Sequence, residues 1–261
     1  MLSNLERVLF IALVFFSSGL SYITYSRMFK AIARGTQPLN WIKIVKNWPK
    51  GLSVFFSQKT LFKSRTLVAV IHAGVAWGFS FYLVVNIIDV LYGMIPDFHF
   101  LPNHFVGHAY RLFVDIFTLL VLFGVLYFLV RRFLSKSEKL NINEPVLISE
   151  RVKKGIKLDS ILVGTFIILH VGFRFVGASA EIALNGNDWF QPGATVLATL
   201  WSGLGQENVV FLEHLSWWIS LGLILAFFPY FPYSKHAHLF MGPLNYMASV
   251  DRRSPVTLEI M

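Results

Sequence analysis

The 261-residue sequence contains no cysteine, which excludes disulfides, thiolate metal sites and cysteine-ligated iron–sulfur clusters within it. Charged residues are also scarce: they make up 14% of the chain, whereas a soluble domain carries about 25%. Hydrophobic residues make up 55%, and the mean hydropathy is +0.60. So much apolar surface needs lipid as its solvent, and the composition therefore indicates an integral membrane protein.

Five apolar stretches are long enough to cross a membrane, since a helix needs about 20 residues to span a bilayer core of about 30 Å. They lie at 5–25, 66–91, 110–130, 160–183 and 209–231. The sequence therefore predicts an all-α bundle of five transmembrane helices over residues 1–245. A cleaved signal peptide begins with a basic segment and ends at a site of small residues. Here Glu6 and Arg7 make only a weak basic segment, and no such site follows, so we expect the first stretch to be retained.

Lysine and arginine are absent from two segments, 92–109 and 184–208. They are concentrated instead in 27–65, with nine and no acidic residue, in 131–157, with eight, and in the C-terminal tail, with three. The positive-inside rule then predicts a multi-pass protein of the cytoplasmic membrane, with the N-terminus outside and the C-terminus in the cytoplasm. The net charge of +9 is thus a topology signal, and it favours anionic lipid or an acidic partner over nucleic acid.

The basic segment 27–65 alternates apolar residues with lysines around Trp41, Ile42, Val45 and Trp48. This pattern fits a helix lying in the membrane interface, and an aromatic belt on an ordinary loop explains it equally well. The segment 185–206, rich in Gly, Asn and Trp, indicates a short lid over the opposite face. No internal repeat or broken-helix pattern is present, which disfavours a secondary transporter.

Three histidines fall at a similar depth near the cytoplasmic side. His72 lies about two turns into the second stretch, and His236 and His238 lie at the end of the fifth. Neutral imidazoles on facing helices are the axial ligands that a b-type haem needs. The alternative is a packed His72 bonded to a neighbouring carbonyl, and spacing alone does not separate His236 from His238.

Arg174 is a charge inside the fourth stretch, and it requires a carboxylate, a haem propionate or water. His170 precedes it by four residues and shares its helix face. His170 is a candidate ligand of a second haem, together with His214 or His108. Alternatively, it lines a quinone pocket. The carboxylates expected near Arg174 are Asp115, Glu181 and Glu213.

A segment near the C-terminus carries a resemblance to a known family. Residues 231–239, Phe-Pro-Tyr-Ser-Lys-His-Ala-His-Leu, followed by Gly-Pro-Leu-Asn at 242–245, resemble the P-Y-S-K-H-x-H segment of membrane cytochrome b domains. These domains are related to the gamma subunit of respiratory nitrate reductase, and the nearest likeness is to the form fused to or partnered with heterodisulfide-reductase-like iron–sulfur proteins. Residues 65–78, 107–132 and 217–218 resemble its second, third and fifth helices.

The resemblance implies a quinone-reactive subunit of an oxidoreductase that contains haem b. Such a subunit moves electrons between quinone, menaquinone included, and a cytoplasmic iron–sulfur protein that is heterodisulfide-reductase-like or linked to electron-transfer flavoprotein. His72 and His238 match the ligands of the haem nearer the cytoplasm. Tyr82 and Ser220 stand where the family has the ligands of an outer haem. We therefore expect one haem, and a second only with rewired ligands such as His170 and His214.

Residues 246–261 resemble the beginning of a connection to an iron–sulfur partner. That partner is expected either as a separate polypeptide or as a further domain of a longer chain, because cysteine is absent here. The competing hypothesis is a haem-free membrane anchor or a small-solute permease. Its histidines would then serve packing or proton relay.

Overall fold

The computed structural model describes residues 2–35, 40–62, 66–102, 104–135 and 149–248, with the side chain of Thr60 excepted. The regular structure of these residues is entirely helical. The α-helices are α1 (Asn4–Ile32), α2 (Trp41–Lys46), α3 (Trp48–Ser57), α4 (Lys59–Phe62), α5 (Thr66–Met94), α6 (Phe105–Phe133), α7 (Glu150–Asn185), α8 (Pro192–Ala198), α9 (Gln206–Phe227) and α10 (His238–Ala248).

Five of these helices, α1, α5, α6, α7 and α9, are long and apolar enough to cross a membrane. The prediction of an all-helical protein with five candidate membrane-spanning helices is therefore confirmed. The last of them ends at Phe227, earlier than the sequence indicated, because Pro229 has no N–H to continue the helix and its ring obstructs the preceding turn. Two short 3₁₀ turns, Phe231–Tyr233 and Lys235–Ala237, follow before α10 begins.

The two ends of the bundle differ in character. α1, α6 and α9 finish, and α5 and α7 begin, at the end that carries α2, α3, α4 and α10. We call it the basic end, because Arg131, Arg132 and Lys235 lie there. The loop end carries residues 95–102, 104 and 186–205. That the basic end faces the cytoplasm stays a prediction.

The spanning helices pack around α7, which lies against both α6 and α9, while α5 packs on α6 and α1 on α9. Close approach of α5 and α6 depends on glycine: a Cβ on Gly124 would lie 2.4 Å from Val75 Cγ2, and one on Gly78 would lie 2.6 Å from Val121 Cγ2. Small residues serve this purpose in membranes, where burying apolar surface drives helix association only weakly. This contact sets the spacing at which α5 presents His72.

Short helices occupy the basic segment predicted as interfacial. α2 and α3 pack against α10, and Asn47 Nδ2 donates to the Met247 carbonyl at 3.1 Å. Trp41 and Ile42 are 66% and 83% exposed and are thus available for contact with lipid. That these helices lie in the membrane interface stays a prediction. The boundary expected at residue 245 falls inside α10, and residues 249–261, with Arg252 and Arg253, lie outside the described residues.

Asp115 of α6 holds the loop end in place. Its carboxylate accepts the backbone N–H of Gly193 at 2.7 Å and that of Ala194 at 2.9 Å. These donors belong to the first turn of α8, which has no side-chain cap of its own. A buried acid at a helix N-terminus is stabilised by the unpaired N–H groups and by the helix dipole.

We expect Asp115→Ala to loosen α8 while leaving the spanning helices intact. The lost charge-assisted hydrogen bonds are worth about 1.5–3 kcal/mol each. Hydrogen exchange should therefore accelerate at the amides of Gly193 and Ala194 and stay unchanged in the middle of α7. Equal exchange at α8 in the variant and the wild type would contradict the capping role.

Candidate functional site

His72 and His238 face each other across a cavity at the basic end. Their ring centroids are 6.5 Å apart and the rings are tilted by 40°. The cavity has a volume of about 480 Å³, and both histidines line it. An imidazole nitrogen lies about 2 Å from the metal it binds, so two axial rings on one iron have centroids about 6 Å apart. The observed spacing fits such a pair.

Hydrogen bonds fix which ring nitrogen of each histidine carries the proton. His72 Nδ1 lies 2.9 Å from Gln58 Oε1, and His238 Nδ1 is bonded to the Lys235 carbonyl oxygen. An amide or carbonyl oxygen only accepts, so Nδ1 carries the proton in both rings. Each Nε2 then presents a lone pair. Metal-ligating histidines show this arrangement, with the second nitrogen donating to a fixed oxygen.

One carboxylate of α7 anchors the chain between α9 and α10. Asp159 accepts the Tyr230 hydroxyl at 2.8 Å and the Lys235 backbone N–H at 3.2 Å. Ser234 Oγ accepts the N–H of His236 at 3.1 Å. Burial and the hydrogen-bonded Asp159 carboxylate raise the pKa of Tyr230 to about 12, so its hydroxyl keeps its proton. These bonds place His236 and His238 at the cavity.

His236 lies beside the facing pair. It is buried, and its ring centroid lies 5.1 Å from that of Phe79 and 5.7 Å from that of Phe227. In the described part of the chain its Nδ1 has no hydrogen-bond partner. Burial, reinforced by His238 and Lys235, lowers the pKa of His236 to about 4, so the ring is neutral at pH 7. The ring that faces His72 at 6.5 Å is that of His238, and the structure therefore favours His238 as its partner.

The rim of this cavity is basic and its wall is mostly apolar. Arg131, Arg132 and Lys235 line it, and burial, together with the nearby Arg132, lowers the pKa of Lys235. Carboxylates are the natural partners of such a rim, and a haem carries two propionates. The apolar lining includes Val75, Phe79, Val125, Phe128, Leu129 and Val163.

The donor set suits an iron that a macrocycle already holds. Within the described ranges, no group of three or more His, Cys, Asp or Glu side chains comes together to hold a bare metal ion. Two imidazoles supply only the axial positions of an octahedral iron. The spacing, the ring tautomers, the apolar wall and the basic rim all fit haem b.

A buried polar cluster fills the bundle above this cavity. Tyr82, Thr118, His170 and Ser220 are each at most 3% exposed. Thr118 Oγ1 donates to the Val114 carbonyl at 2.7 Å, so at 2.5 Å it accepts the Tyr82 hydroxyl. His170 Nδ1 lies 2.9 Å from the Ser220 carbonyl, and its ring packs 5.8 Å from that of Tyr82. At the two positions where the resemblance places outer haem ligands, Tyr82 is thus bonded to Thr118 of α6, and Ser220 to His170 of α7.

The two histidines expected to rebuild an outer haem have different partners. His214 Nδ1 lies 3.0 Å from Glu6 Oε1, which also accepts Trp218 Nε1 at 3.1 Å. His170 is bonded to Ser220, six residues along α9 from His214, which is about 9 Å along the helix axis. This separation does not suit two ligands of one iron.

A second cavity, of about 290 Å³, lies at the loop end. Arg174 lines it and donates from Nε and Nη2 to the two oxygens of Asp89 at 3.1 and 3.2 Å. The ion-pair partner of Arg174 is therefore Asp89 of α5 and none of the three expected acids. The signal was available, because Asp89 is an acidic residue inside an apolar stretch, where charges are costly.

The loop-end cavity combines aromatic walls with acids and a spare donor. Glu181 Oε1 accepts the Tyr92 hydroxyl at 3.3 Å, and Glu213 and His214 line the same space. The Tyr110 hydroxyl is buried and, as far as the described residues extend, has no hydrogen-bond partner. Such a cavity can bind a flat ring with polar oxygens and accept a proton from it.

Comparison with known proteins points to redox chemistry. Over 193 residues the chain is 30% identical to the probable iron-sulfur-binding oxidoreductase FadF of Bacillus subtilis, a match covering 73% of this chain and 25% of that protein. Over 188 residues it is 23% identical to the EtfAB:quinone oxidoreductase of Syntrophomonas wolfei. This match covers 70% of this chain and 25% of that protein. The chain therefore spans about a quarter of the length of these curated relatives.

Both relatives are oxidoreductases by name, and the similarity supports a redox-related role. No protein-family model and no solved structure matches the chain significantly. The resemblance to the nitrate reductase gamma subunit and to cytochrome b stays a prediction.

Proposed function

We propose that the chain is a haem b-containing membrane subunit that moves electrons between quinone and an iron–sulfur oxidoreductase. Its basic end faces the cytoplasm, and its N-terminus lies outside. The observation that carries the proposal is the His72–His238 pair, 6.5 Å apart across a cavity with each Nδ1 bonded to an oxygen. Both rings line the same cavity of about 480 Å³, which histidines that serve only for packing do not require.

In this proposal the basic-end cavity holds one haem. His72 and His238 would hold its iron, and Arg131, Arg132 and Lys235 would bind its propionates. The bound haem supplies reversible one-electron exchange. The apolar wall would surround the macrocycle, while His238 stays exposed at the mouth of the cavity. Because Tyr82, Thr118, His170 and Ser220 are buried in the bundle above, the proposal includes one haem and no second one.

The loop-end cavity is proposed as the quinone site. The ring of a quinone fits between aromatic walls such as Tyr92 and Trp217, and the Tyr110 hydroxyl can donate to a quinone oxygen. The Glu181 carboxylate can accept the proton that a quinol hydroxyl releases. The second relative is by name a quinone oxidoreductase, which supports this ligand class, and menaquinone is the candidate from the family resemblance.

The partner is proposed to be a cytoplasmic iron–sulfur protein or domain. The first relative is by name iron-sulfur-binding, and this chain has no cysteine to hold a cluster. The basic end is suited to an acidic face on that partner, because charge complementarity steers association. Electron-transfer flavoprotein, which the second relative's name includes, is a candidate for the next redox partner.

Menadiol, a soluble naphthoquinol, tests the proposed chemistry. Added to the purified oxidised protein, it should reduce a b-type spectrum without dithionite. Glu181→Gln should slow this reduction at least about tenfold, since general-base catalysis contributes about a hundredfold or more. Glu207→Gln, at an exposed position on the same side of the bundle, is the matched control.

Equal reduction rates in the wild type and in both variants, with haem present, would remove Glu181 from the mechanism. A haem-loaded protein that dithionite reduces and menadiol does not would overturn the quinone-linked function. Absence of any haem spectrum would favour the membrane anchor or permease.

A further inference from the structure

Gln58 adopts a backbone conformation that residues other than glycine rarely take. It ends α3 with φ 44° and ψ 28°, in the left-handed region. Glycine is the usual residue at such a helix end, because it has no Cβ to crowd the following carbonyl. A glutamine is less favourable than glycine for this backbone, so we look for a contact of its side chain that explains its presence.

The same residue forms the joint between two helices. Its N–H donates to the Val54 carbonyl at 3.1 Å, and its own carbonyl accepts the N–H of Leu61 at 2.8 Å and that of Phe62 at 3.3 Å. This turn directs the side chain into the bundle, where Gln58 is 7% exposed and its Oε1 lies 2.9 Å from His72 Nδ1. Glycine would make the turn but not the bond to His72.

Gln58 also belongs to the packed unit that carries His238. α3 lies against α10, whose first residue is His238. Gly51 of α3 approaches α10 so closely that a Cβ there would be 2.5 Å from Met247 Cε. One unit therefore holds the oxygen that orients His72 and also the second histidine.

We propose that Gln58 is a positioning residue for His72. Its amide oxygen holds the proton on Nδ1, directs Nε2 into the cavity and sets how strongly the imidazole donates electrons. The haem consequences rest on the proposed function, whereas the effect on the His72 proton does not. Partners that donate to or accept from a metal-bound histidine commonly change metal affinity by about 10–100-fold.

Three variants separate positioning from a purely structural role. Gln58→Leu removes the acceptor and keeps the bulk, and we expect haem transfer to apomyoglobin to accelerate 10–100-fold. Gln58→Gly relaxes the backbone, so a structural role predicts a protein at least as stable as the wild type with normal haem retention. Positioning predicts that Gln58→Gly loses haem as fast as Gln58→Leu.

Gln58→Glu should retain haem and lower its midpoint potential, because a carboxylate acceptor makes the imidazole more basic. Asn47→Ala is the matched control. It removes the α2–α10 hydrogen bond to Met247 and leaves His72 and its acceptor in place. Its haem retention and potential should equal those of the wild type.

A readout without haem completes the test. In ¹⁵N-histidine NMR of haem-free protein, the wild type should carry the His72 proton on Nδ1, and Gln58→Leu should lose that preference. Wild-type haem retention and potential in Gln58→Leu and Gln58→Gly would overturn the proposal, as would an unchanged His72 tautomer. Absence of haem from the wild type, with the tautomer change observed, would overturn the proposed function and leave the positioning role standing.

Discussion

Replacing His72 or His238 with alanine should abolish haem binding. In the proposed site each ring would supply one ligand to the iron, and the ring centroids are 6.5 Å apart. With either one removed, the iron loses half of its protein ligation, so haem per chain should fall from about one to less than a tenth. The measurement is haem quantified against protein in the purified variants.

His236→Ala is the informative comparison, because His236 is two residues from His238 and lines the same cavity. It should keep most of its haem, with only a shifted spectrum, since the ring faces Phe79 and Phe227. His104→Ala, at the loop end, controls for the loss of any histidine. Haem retained in His238→Ala but lost in His236→Ala would contradict the assigned pair.

Breaking the Arg174–Asp89 pair should be the most destabilising single change in the spanning helices. Asp89→Leu leaves a guanidinium without its carboxylate where the two side chains are 14% and 19% exposed. Removing one partner of a buried ion pair costs about 3–5 kcal/mol, because the remaining charge is uncompensated. The free energy of unfolding, measured by denaturant titration in detergent, should fall by that amount.

The double variant Asp89→Leu/Arg174→Leu separates pairing from the loss of either side chain. It should recover much of the stability, because apolar replacement of both charges is often near neutral. Glu150→Ala removes an exposed ion pair with Lys153 and should change stability little. A double variant as unstable as Asp89→Leu would show that the pair does not account for the loss.

Much of the fold was predictable, because hydropathy and charge distribution dominate a membrane protein. The five spans follow from runs of apolar residues. The observed starts differ from the predicted ones where a capping residue, and not the apolar run, sets the first residue of the helix. α7 begins at Glu150, ten residues before the apolar stretch, because Ser149 caps it and its first turns are polar. The end of α9 before Pro229 was readable from the proline itself.

The candidate site was predictable only where depth along a helix suffices. Depth paired His72 with either His236 or His238, and the resemblance then singled out His238. The rotation of each helix about its own axis, which decides what a side chain faces, is not set by hydropathy in a bundle surrounded by lipid. For this reason Asp89, the actual partner of Arg174, was missed in favour of acids nearer in the sequence.

Gln58 was missed for a different reason. Its role depends on a left-handed backbone at the end of a short helix, and glutamine gives no sequence signal for that conformation. Tyr82 and Ser220 were read as lost ligands. Their bonds to Thr118 and His170 became visible only once α5, α6, α7 and α9 were packed together.

The most direct test of the account is a dithionite-reduced minus oxidised visible spectrum of the purified wild-type protein, with haem quantified per chain. One basic-end cavity with two facing imidazoles predicts a b-type spectrum and about one haem per chain. Two haems would contradict the filled cluster of Tyr82, Thr118, His170 and Ser220. None, in a folded preparation from haem-replete cells, would contradict the central claim.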